Sequence, residues 1–252
     1  IENRSGVDNA DAILNYCDGI MVARGDLGVE IPYEELPPIQ KQLIQLCLKR
    51  GKIVITATEM LESMTSKPRP TRAEISDVAN AVYDGSSAIM LSGETAAGQY
   101  PVEAVQAMSR IAVWTEADID YEKRFRNTDF HLYHYNDAMS HGACALAIDT
   151  KVSAIVVCTL SGDMARQVSR FRCPKPIIGM TTKRKVWNQL SLFWNVRPAM
   201  SEQFPTVDVL LYHARKVAKK SGLVKIGDRI IITAGITNGT SGNTDLIKME
   251  EI

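Results

Sequence analysis

The stretch Gly19-Ile-Met-Val-Ala-Arg-Gly-Asp-Leu-Gly28 passes from an apolar run into small and charged residues. Similar apolar runs occur at Ile53-Val-Ile-Thr-Ala-Thr58 and Ala88-Ile-Met-Leu-Ser92, and a helical pattern follows each of them. Continuous apolar runs rich in β-branched residues are typical of strands covered on both faces, as in a parallel sheet. Counted from Ile20 to Ile53 and on to Ala88, the runs are 33 and 35 residues apart. This spacing predicts three βα units of a (β/α)8 barrel.

The segments between these strands carry helix signals. Apolar residues at helical spacing predict helices over 8–16, 37–48 and 74–82. Thr71 and Glu74 have the spacing of a capping box, and Pro101 suits the first turn of a further long helix. The pattern is βαβαβα rather than a helix bundle.

A polar, aromatic-spotted stretch at 121–134 marks a domain junction, which divides the chain into 1–118 and 119–252. A second α/β set follows, with a mostly parallel five-stranded sheet. The last two strands are separated only by a Gly-rich loop, which allows an antiparallel pair at the sheet edge. The strands are expected at 154–159, 176–181, 196–200, 229–234 and 245–250, and the helices near 137–149, 163–172, 184–192 and 206–221.

Composition excludes several classes of protein. The chain has 252 residues, 45% of them apolar, and its 29 Lys plus Arg balance 29 Asp plus Glu. This is the composition of a globular protein, and without a basic block we expect neither nucleic acid nor a membrane as partner. The apolar runs are too short for a membrane span and no secretory leader is present, so we expect a cytoplasmic protein. Five scattered cysteines without a C-x-x-C pair suggest neither disulfides nor zinc.

Chemistry in such a barrel lies just after the strands. Glu2 and Asp26 fall at neighbouring strand ends, where two carboxylates can share one Mg²⁺ and leave its other positions to water and substrate. Gly25 allows a ligand close to the backbone, and Thr58 and Ser92 supply hydroxyl groups. The alternative is that Gly-Asp is only a loop turn and Glu2 a frayed terminus.

Longer motifs resemble a known family. The second half of the catalytic barrel of the pyruvate kinases is closely similar to the segments before position 97, and their C-terminal regulatory domain is similar to 119–252. The motifs are Ile1-Glu-Asn3, the 19–28 stretch, Ala57-Thr-Glu-Met-Leu-Glu-Ser-Met64, Lys67-Pro-Arg-Pro-Thr-Arg-Ala-Glu74, Ser76-Asp-Val-Ala-Asn-Ala-Val82 and Ile89-Met-Leu-Ser-Gly-Glu-Thr-Ala96. The resemblance makes the three βα units the last three of the barrel, preceded by the tip of another strand.

The resemblance implies transfer of a phosphoryl group from phosphoenolpyruvate to ADP, the last step of glycolysis, with Mg²⁺ (or Mn²⁺) and K⁺. By the same resemblance, Glu2 and Asp26 match the metal ligands. The backbone of 23–25 (Ala23, Arg24, Gly25), together with Asp26 and Thr58, matches the groups that hold phosphoenolpyruvate. Thr58 and Ser92 lie where a proton reaches the enolate carbon, with the donor left open. A homo-oligomer, usually a tetramer, is implied as well.

The resemblance also implies an allosteric site in the second domain. A strand, a Ser-Gly turn and a helix N-terminus at 154–164 favour an anion, and the family binds a phosphorylated effector there through the positions of Thr159, Ser161 and Gly162. Asp163 either repels a phosphate, which puts fructose bisphosphate control in question, or caps the helix. The loop 237–244 either closes over an effector or is a plain hairpin loop.

The family motif is Lys-Ile-Glu-Asn, and the chain begins at its Ile. We therefore expect a fragment, inactive alone, without the phosphoryl-neutralising lysine, the lid domain, and the K⁺ and nucleotide groups. Two alternatives are a Mg²⁺-dependent barrel lyase or aldolase acting on phosphoenolpyruvate or pyruvate, and a non-catalytic effector-binding module. The second domain argues against the lyase.

Overall fold

The computed structural model describes residues 1–128, 130, 132–235 and 244–252. These form two compact units, Ile1–Asp120 and Tyr121–Ile252, each with its own sheet. The loop 237–244 is predicted either to close over an effector or to be a plain hairpin loop, and its positions 237–243 lie outside the described residues.

The first unit contains a parallel sheet of three strands in the order β1-β2-β3, as predicted for part of a (β/α)8 barrel. The strands are β1 (Gly19–Ala23), β2 (Ile53–Ala57) and β3 (Ala88–Met90). The helices are α1 (Arg4–Asp8), α2 (Ala10–Ile13), α3 (Arg24–Glu30), α4 (Leu36–Arg50), α5 (Arg72–Asp84), α6 (Gly93–Ala96) and α7 (Pro101–Asp118), with 3₁₀ turns at Tyr33–Glu35 and Glu62–Thr65.

The bounds predicted for a helix over 8–16 are wrong, because α1 ends at Asp8 and α2 covers only Ala10–Ile13. The Asn3 side chain accepts a hydrogen bond from the Gly6 N–H, which starts α1 early. Asn9 then ends α1, and its side chain donates to the Ser5 carbonyl. Local side-chain bonds of this kind compete with a continuous helix.

The predicted capping box of the first unit is confirmed, and the structure adds one position in β1 that requires glycine. Thr71 and Glu74 form the capping box that starts α5. Gly19 begins β1 where a Cβ would lie 2.4 Å from the Ile53 carbonyl oxygen, so only glycine lets the two strands approach there.

The helices cover the sheet with apolar faces. Ile39, Leu43 and Ile44 of α4 are buried in one cluster with Val22 and Val54 of the strands. A second cluster joins α5 and α7 to the chain that follows β2, through the buried residues Met60, Leu61, Met64, Val78, Ala81, Ala104, Ala107 and Met108. This packing fixes the loops at the carboxyl ends of the strands.

The second unit has a five-stranded sheet in the order β6-β5-β4-β7-β8. Its strands are β4 (Ala154–Cys158), β5 (Ile177–Thr181), β6 (Val196–Met200), β7 (Arg229–Ala234) and β8 (Leu246–Glu251). Its helices are α8 (Tyr121–Asn127), α9 (Tyr135–Asp149), α10 (Asp163–Arg170), α11 (Arg184–Leu190) and α12 (Val207–Lys220). Three of the four strand pairings, β4 with β5, β4 with β7 and β5 with β6, are parallel. The fourth, β7 with the edge strand β8, is antiparallel, as the sequence allowed.

Alternate residues of β4 enter two separate cores. Ile155 and Val157 pack with α9 and α10, while Ala154 and Val156 pack on the opposite face with α12. Side chains alternate between faces with a period of two, so an apolar strand covered on both sides feeds both cores. In the described ranges, no helix is both long and apolar enough to cross a membrane.

Candidate functional site

The predicted site residues of the first unit lie beside one another at the carboxyl edge of its sheet. In the strand register, Ala23 pairs with Ala57 and Ala57 with Met90, so these three residues form one row across the sheet. Arg24 and Thr58 come directly after the first two residues of this row. The Ile1 N–H group donates to the Met21 carbonyl at 2.7 Å, and the Ile1 carbonyl accepts from the Ala23 N–H at 3.1 Å. These two bonds place Ile1 opposite Val22, so Glu2 comes level with Ala23 at the same edge.

Thr58 and Gly25 are in direct contact. The Thr58 hydroxyl accepts a hydrogen bond from the Gly25 N–H at 2.7 Å and donates one to the Ala57 carbonyl at 2.7 Å. Thr58 and Glu59 both adopt left-handed backbone, with φ of 68° and 53°. A β-branched residue is rarely found there, and such strain concentrates at functional sites.

Arg24 holds this turn with a buried guanidinium. Its Nη2 donates to the Thr58 carbonyl at 2.7 Å and its Nε to the Ala57 carbonyl at 3.3 Å. Its Nη1 pairs with Asp77 of α5 at 2.7 Å. The Arg24 side chain is therefore committed to the protein, which leaves its backbone as the part that can face a substrate.

Ser92 lies beyond β3, and its half-buried hydroxyl makes no hydrogen bond within the described ranges. Its N–H donates at 2.7 Å to Oε2 of Glu94, a side chain with no exposed surface. The other oxygen of Glu94 accepts the Leu61 N–H at 2.9 Å. The sequence alone does not indicate a role for Glu94, because a charged residue in a Ser-Gly turn is normally solvated.

Glu2 and Asp26 suit a divalent cation. Both carboxylates are exposed, and neither forms an ion pair with any residue that the structure describes. Two hard oxygen donors fit Mg²⁺ or Mn²⁺, which keeps several positions for water and substrate oxygens. Among the residues that the structure describes, no group of three or more His, Cys, Asp or Glu side chains is arranged to hold a metal ion. A cation bound by Glu2 and Asp26 would therefore take its other ligands from water and substrate oxygens.

The segment for which an anion cradle is predicted is a turn between β4 and α10. The Thr159 hydroxyl accepts from the Gly162 N–H at 2.9 Å, and Gly162 has a φ of +89°. This left-handed backbone favours glycine, and a Cβ on Gly162 would also lie a tight 3.1 Å from the Val186 side chain of α11. Ser161 is exposed at the tip of the turn.

The hypothesis that Asp163 caps α10 is wrong, because Gly162 occupies the cap position and Asp163 is the first helical residue. Its carboxylate accepts from the Ser161 hydroxyl and pairs with Arg166, both at 3.1 Å. The negative charge lies within the turn, beside the residues that would meet an anion.

Residues 1–105 match the family model described as "Pyruvate kinase, barrel domain", and residues 137–250 match "Pyruvate kinase, alpha/beta domain". The chain is 50% identical over its whole length to a pyruvate kinase of Sporosarcina psychrophila and 46% identical to one of Clostridium acetobutylicum, covering 43% and 54% of those proteins. A crystal structure of a pyruvate kinase from Cryptosporidium parvum matches with a TM-score of 0.92 and 39% identity, over all of this chain and 50% of that one.

The chain thus spans about half the length of the relatives it matches. The two family models cover its two units in chain order, and the barrel motifs supply the residues at the carboxyl edge of the first sheet. The chain belongs to the pyruvate kinase family.

Proposed function

We propose that the protein containing this chain transfers a phosphoryl group from phosphoenolpyruvate to ADP and forms pyruvate and ATP. The observation that carries this proposal is the hydrogen bond between Thr58 and Gly25, which joins two separate motifs of the family. Family models match both units of the chain. The proposal makes residues 1–118 part of the catalytic barrel and 119–252 the regulatory domain. The predicted cytoplasmic location stays a prediction.

In this reaction the bond between phosphorus and the enol oxygen breaks, and a β-phosphate oxygen of ADP takes the phosphorus. The enolate carbon then gains a proton to become the methyl group of pyruvate. We assign the delivery of this proton to the region of Thr58 and Ser92, two half-buried residues with hydroxyl groups, as the family resemblance implies. The backbone of 23–25 and Asp26 hold the substrate.

Glu2 and Asp26 would hold Mg²⁺ or Mn²⁺. When bound, the ion would supply positive charge that neutralises the phosphoryl oxygens, and phosphoryl transfer depends mainly on such electrostatic stabilisation and on positioning. K⁺ is proposed on the family resemblance alone, with ligands outside this chain.

The second unit is proposed to bind a phosphorylated effector at Thr159, Ser161 and Gly162, and to take part in a homo-oligomer, a tetramer by resemblance. The exposed Ser161 and the N-terminal turn of α10 favour binding of an anion such as a phosphate group. The match of this unit to a pyruvate kinase domain disfavours the lyase alternative.

The test is ATP formation from phosphoenolpyruvate and ADP with Mg²⁺, using the protein at the length its gene encodes. Replacing Thr58 by alanine should lower kcat by about 10²-fold or more if its hydroxyl takes part in proton transfer. Thr65→Ala is the matched control, because the Thr65 hydroxyl also donates to a nearby carbonyl, that of Glu62, in the same unit. Wild-type protein without this activity would refute the proposal, and equal kcat values for the two variants would remove Thr58 from it.

A further inference from the structure

Glu94 joins two loops that are distant in sequence. Its Oε1 accepts the Leu61 N–H, 33 positions away, in the chain between β2 and α5. Its Oε2 accepts the Ser92 N–H just beyond β3. We propose that Glu94 is a positioning residue that sets the Thr58 turn and Ser92 in one fixed arrangement for proton transfer.

Full burial makes this contact costly to lose. The Glu94 side chain has no exposed surface, and an ionised carboxylate is stable in such a place only when its oxygens are hydrogen-bonded. Each oxygen receives one backbone N–H, from a different loop. A solvated surface carboxylate would impose no such constraint on the backbone.

The segment from Thr58 to Leu61 is thereby held at both ends. Arg24 donates a hydrogen bond to the Thr58 carbonyl, and Glu94 accepts one from the Leu61 N–H three residues later. Glu94 also accepts a hydrogen bond from the Ser92 N–H, so the Thr58 turn and Ser92 are both held by one carboxylate. Displacing a catalytic group by about 1 Å can lower a rate about 10²-fold.

Glu94→Gln is the informative change. The glutamine amide keeps one acceptor oxygen but presents an NH₂ group, which cannot accept, to the second N–H. Glu94→Asp keeps both oxygens on a side chain shorter by one methylene, and serves if the glutamine variant fails to fold. Glu74→Gln is the matched control, because Glu74 also accepts backbone N–H groups, those of Ser63 and Thr71, in the same unit.

The first readout is amide hydrogen exchange, which does not depend on activity. We expect the amide that faces the NH₂ group in Glu94→Gln, that of Leu61 or that of Ser92, to exchange at least about 10-fold faster than in the wild type. Glu74→Gln should leave Ser92 at its wild-type rate. Wild-type exchange at both amides in the Glu94 variant would overturn the inference.

The second readout rests on the proposed function. In the full-length enzyme, kcat of Glu94→Gln should fall about 10- to 100-fold with KM for phosphoenolpyruvate within about 3-fold, while Glu74→Gln keeps its kcat. Equal losses in both variants would show a merely structural role and overturn the inference alone. An inactive wild type would instead refute the proposed function, and the catalytic part of the inference with it.

Discussion

The guanidinium of Arg24 donates to the backbone carbonyl of Thr58 at 2.7 Å, so the residue after β1 holds the residue after β2. Thr58 follows the end of its strand in left-handed backbone, which its own residue type disfavours. The buried Arg24 side chain stabilises that conformation by satisfying two successive carbonyls, those of Ala57 and Thr58. The strained turn is thus specified by a contact between βα units.

Arg24→Met should lower the free energy of unfolding of the first unit by about 3 kcal/mol, because two carbonyls and Asp77 lose a buried charged donor. Denaturant unfolding followed by circular dichroism measures this loss. Arg4→Met is the control, because it removes an exposed ion pair with Glu35 and should have little effect. A control variant as unstable as Arg24→Met would contradict the argument.

Asp26→Asn should weaken Mn²⁺ binding by at least about 10-fold in the full-length protein, because an amide replaces a charged ligand. Its exposed position predicts a change in stability within about 0.5 kcal/mol. Calorimetric titration with Mn²⁺ measures the affinity. Glu30→Gln, at an exposed site on the same helix, should bind the metal like wild type. Unchanged affinity in Asp26→Asn would remove this residue from the metal site.

Asp163→Ser should bind fructose 1,6-bisphosphate at least about 10-fold more tightly, because the change removes a negative charge from the turn that would meet the phosphate. Loss of an acidic residue from the first turn of α10 should cost about 0.5 kcal/mol of stability. Asp208→Ser, in the first turn of α12, is the matched control for the helix effect and should leave binding unchanged. Titration calorimetry with both variants separates charge repulsion from stability, and unchanged affinity in Asp163→Ser would refute repulsion.

Several elements could be predicted from the sequence because their signals are local. β6 and β7 have the predicted bounds, and the capping box of Thr71 and Glu74 starts α5. A continuous apolar run bounded by turn residues, or two capping residues at fixed spacing, needs no tertiary information.

The helix α3 and the role of Glu94 could not be predicted, because both depend on tertiary contacts. The sequence of α3 contains two glycines and begins without a side-chain cap, so locally it indicates a loop, and Arg24 anchors it to β2 and α5. The burial of Glu94 is evident only once the Leu61 N–H is seen beside it. The roles of Glu2, Asp26 and Ser92 stay predictions.

His141 makes the stability of the second unit sensitive to acid. Its ring lies 4.8 Å from that of Phe125 and 5.3 Å from that of Phe171. Burial, and then the charge of Arg170, lower the pKa of His141 below its ordinary value of 6.5. As the pH falls through 6.5 towards the lowered pKa, the unfolded chain takes up a proton before the folded one does. Stability is therefore complete above pH 6.5 and decreases below it.

His141→Phe keeps an aromatic ring in this cluster and removes its titration. We expect its free energy of unfolding to decrease less between pH 7.5 and pH 5.5 than that of the wild type, as measured by urea unfolding at each pH. His213→Phe is the matched control, because His213 stacks on Phe204 at 4.2 Å on α12 and its replacement leaves His141 in place. The control should retain the part of the acid sensitivity that His141 causes. If His141→Phe lost as much stability as the wild type over this range, the lowered pKa of His141 would not be the cause.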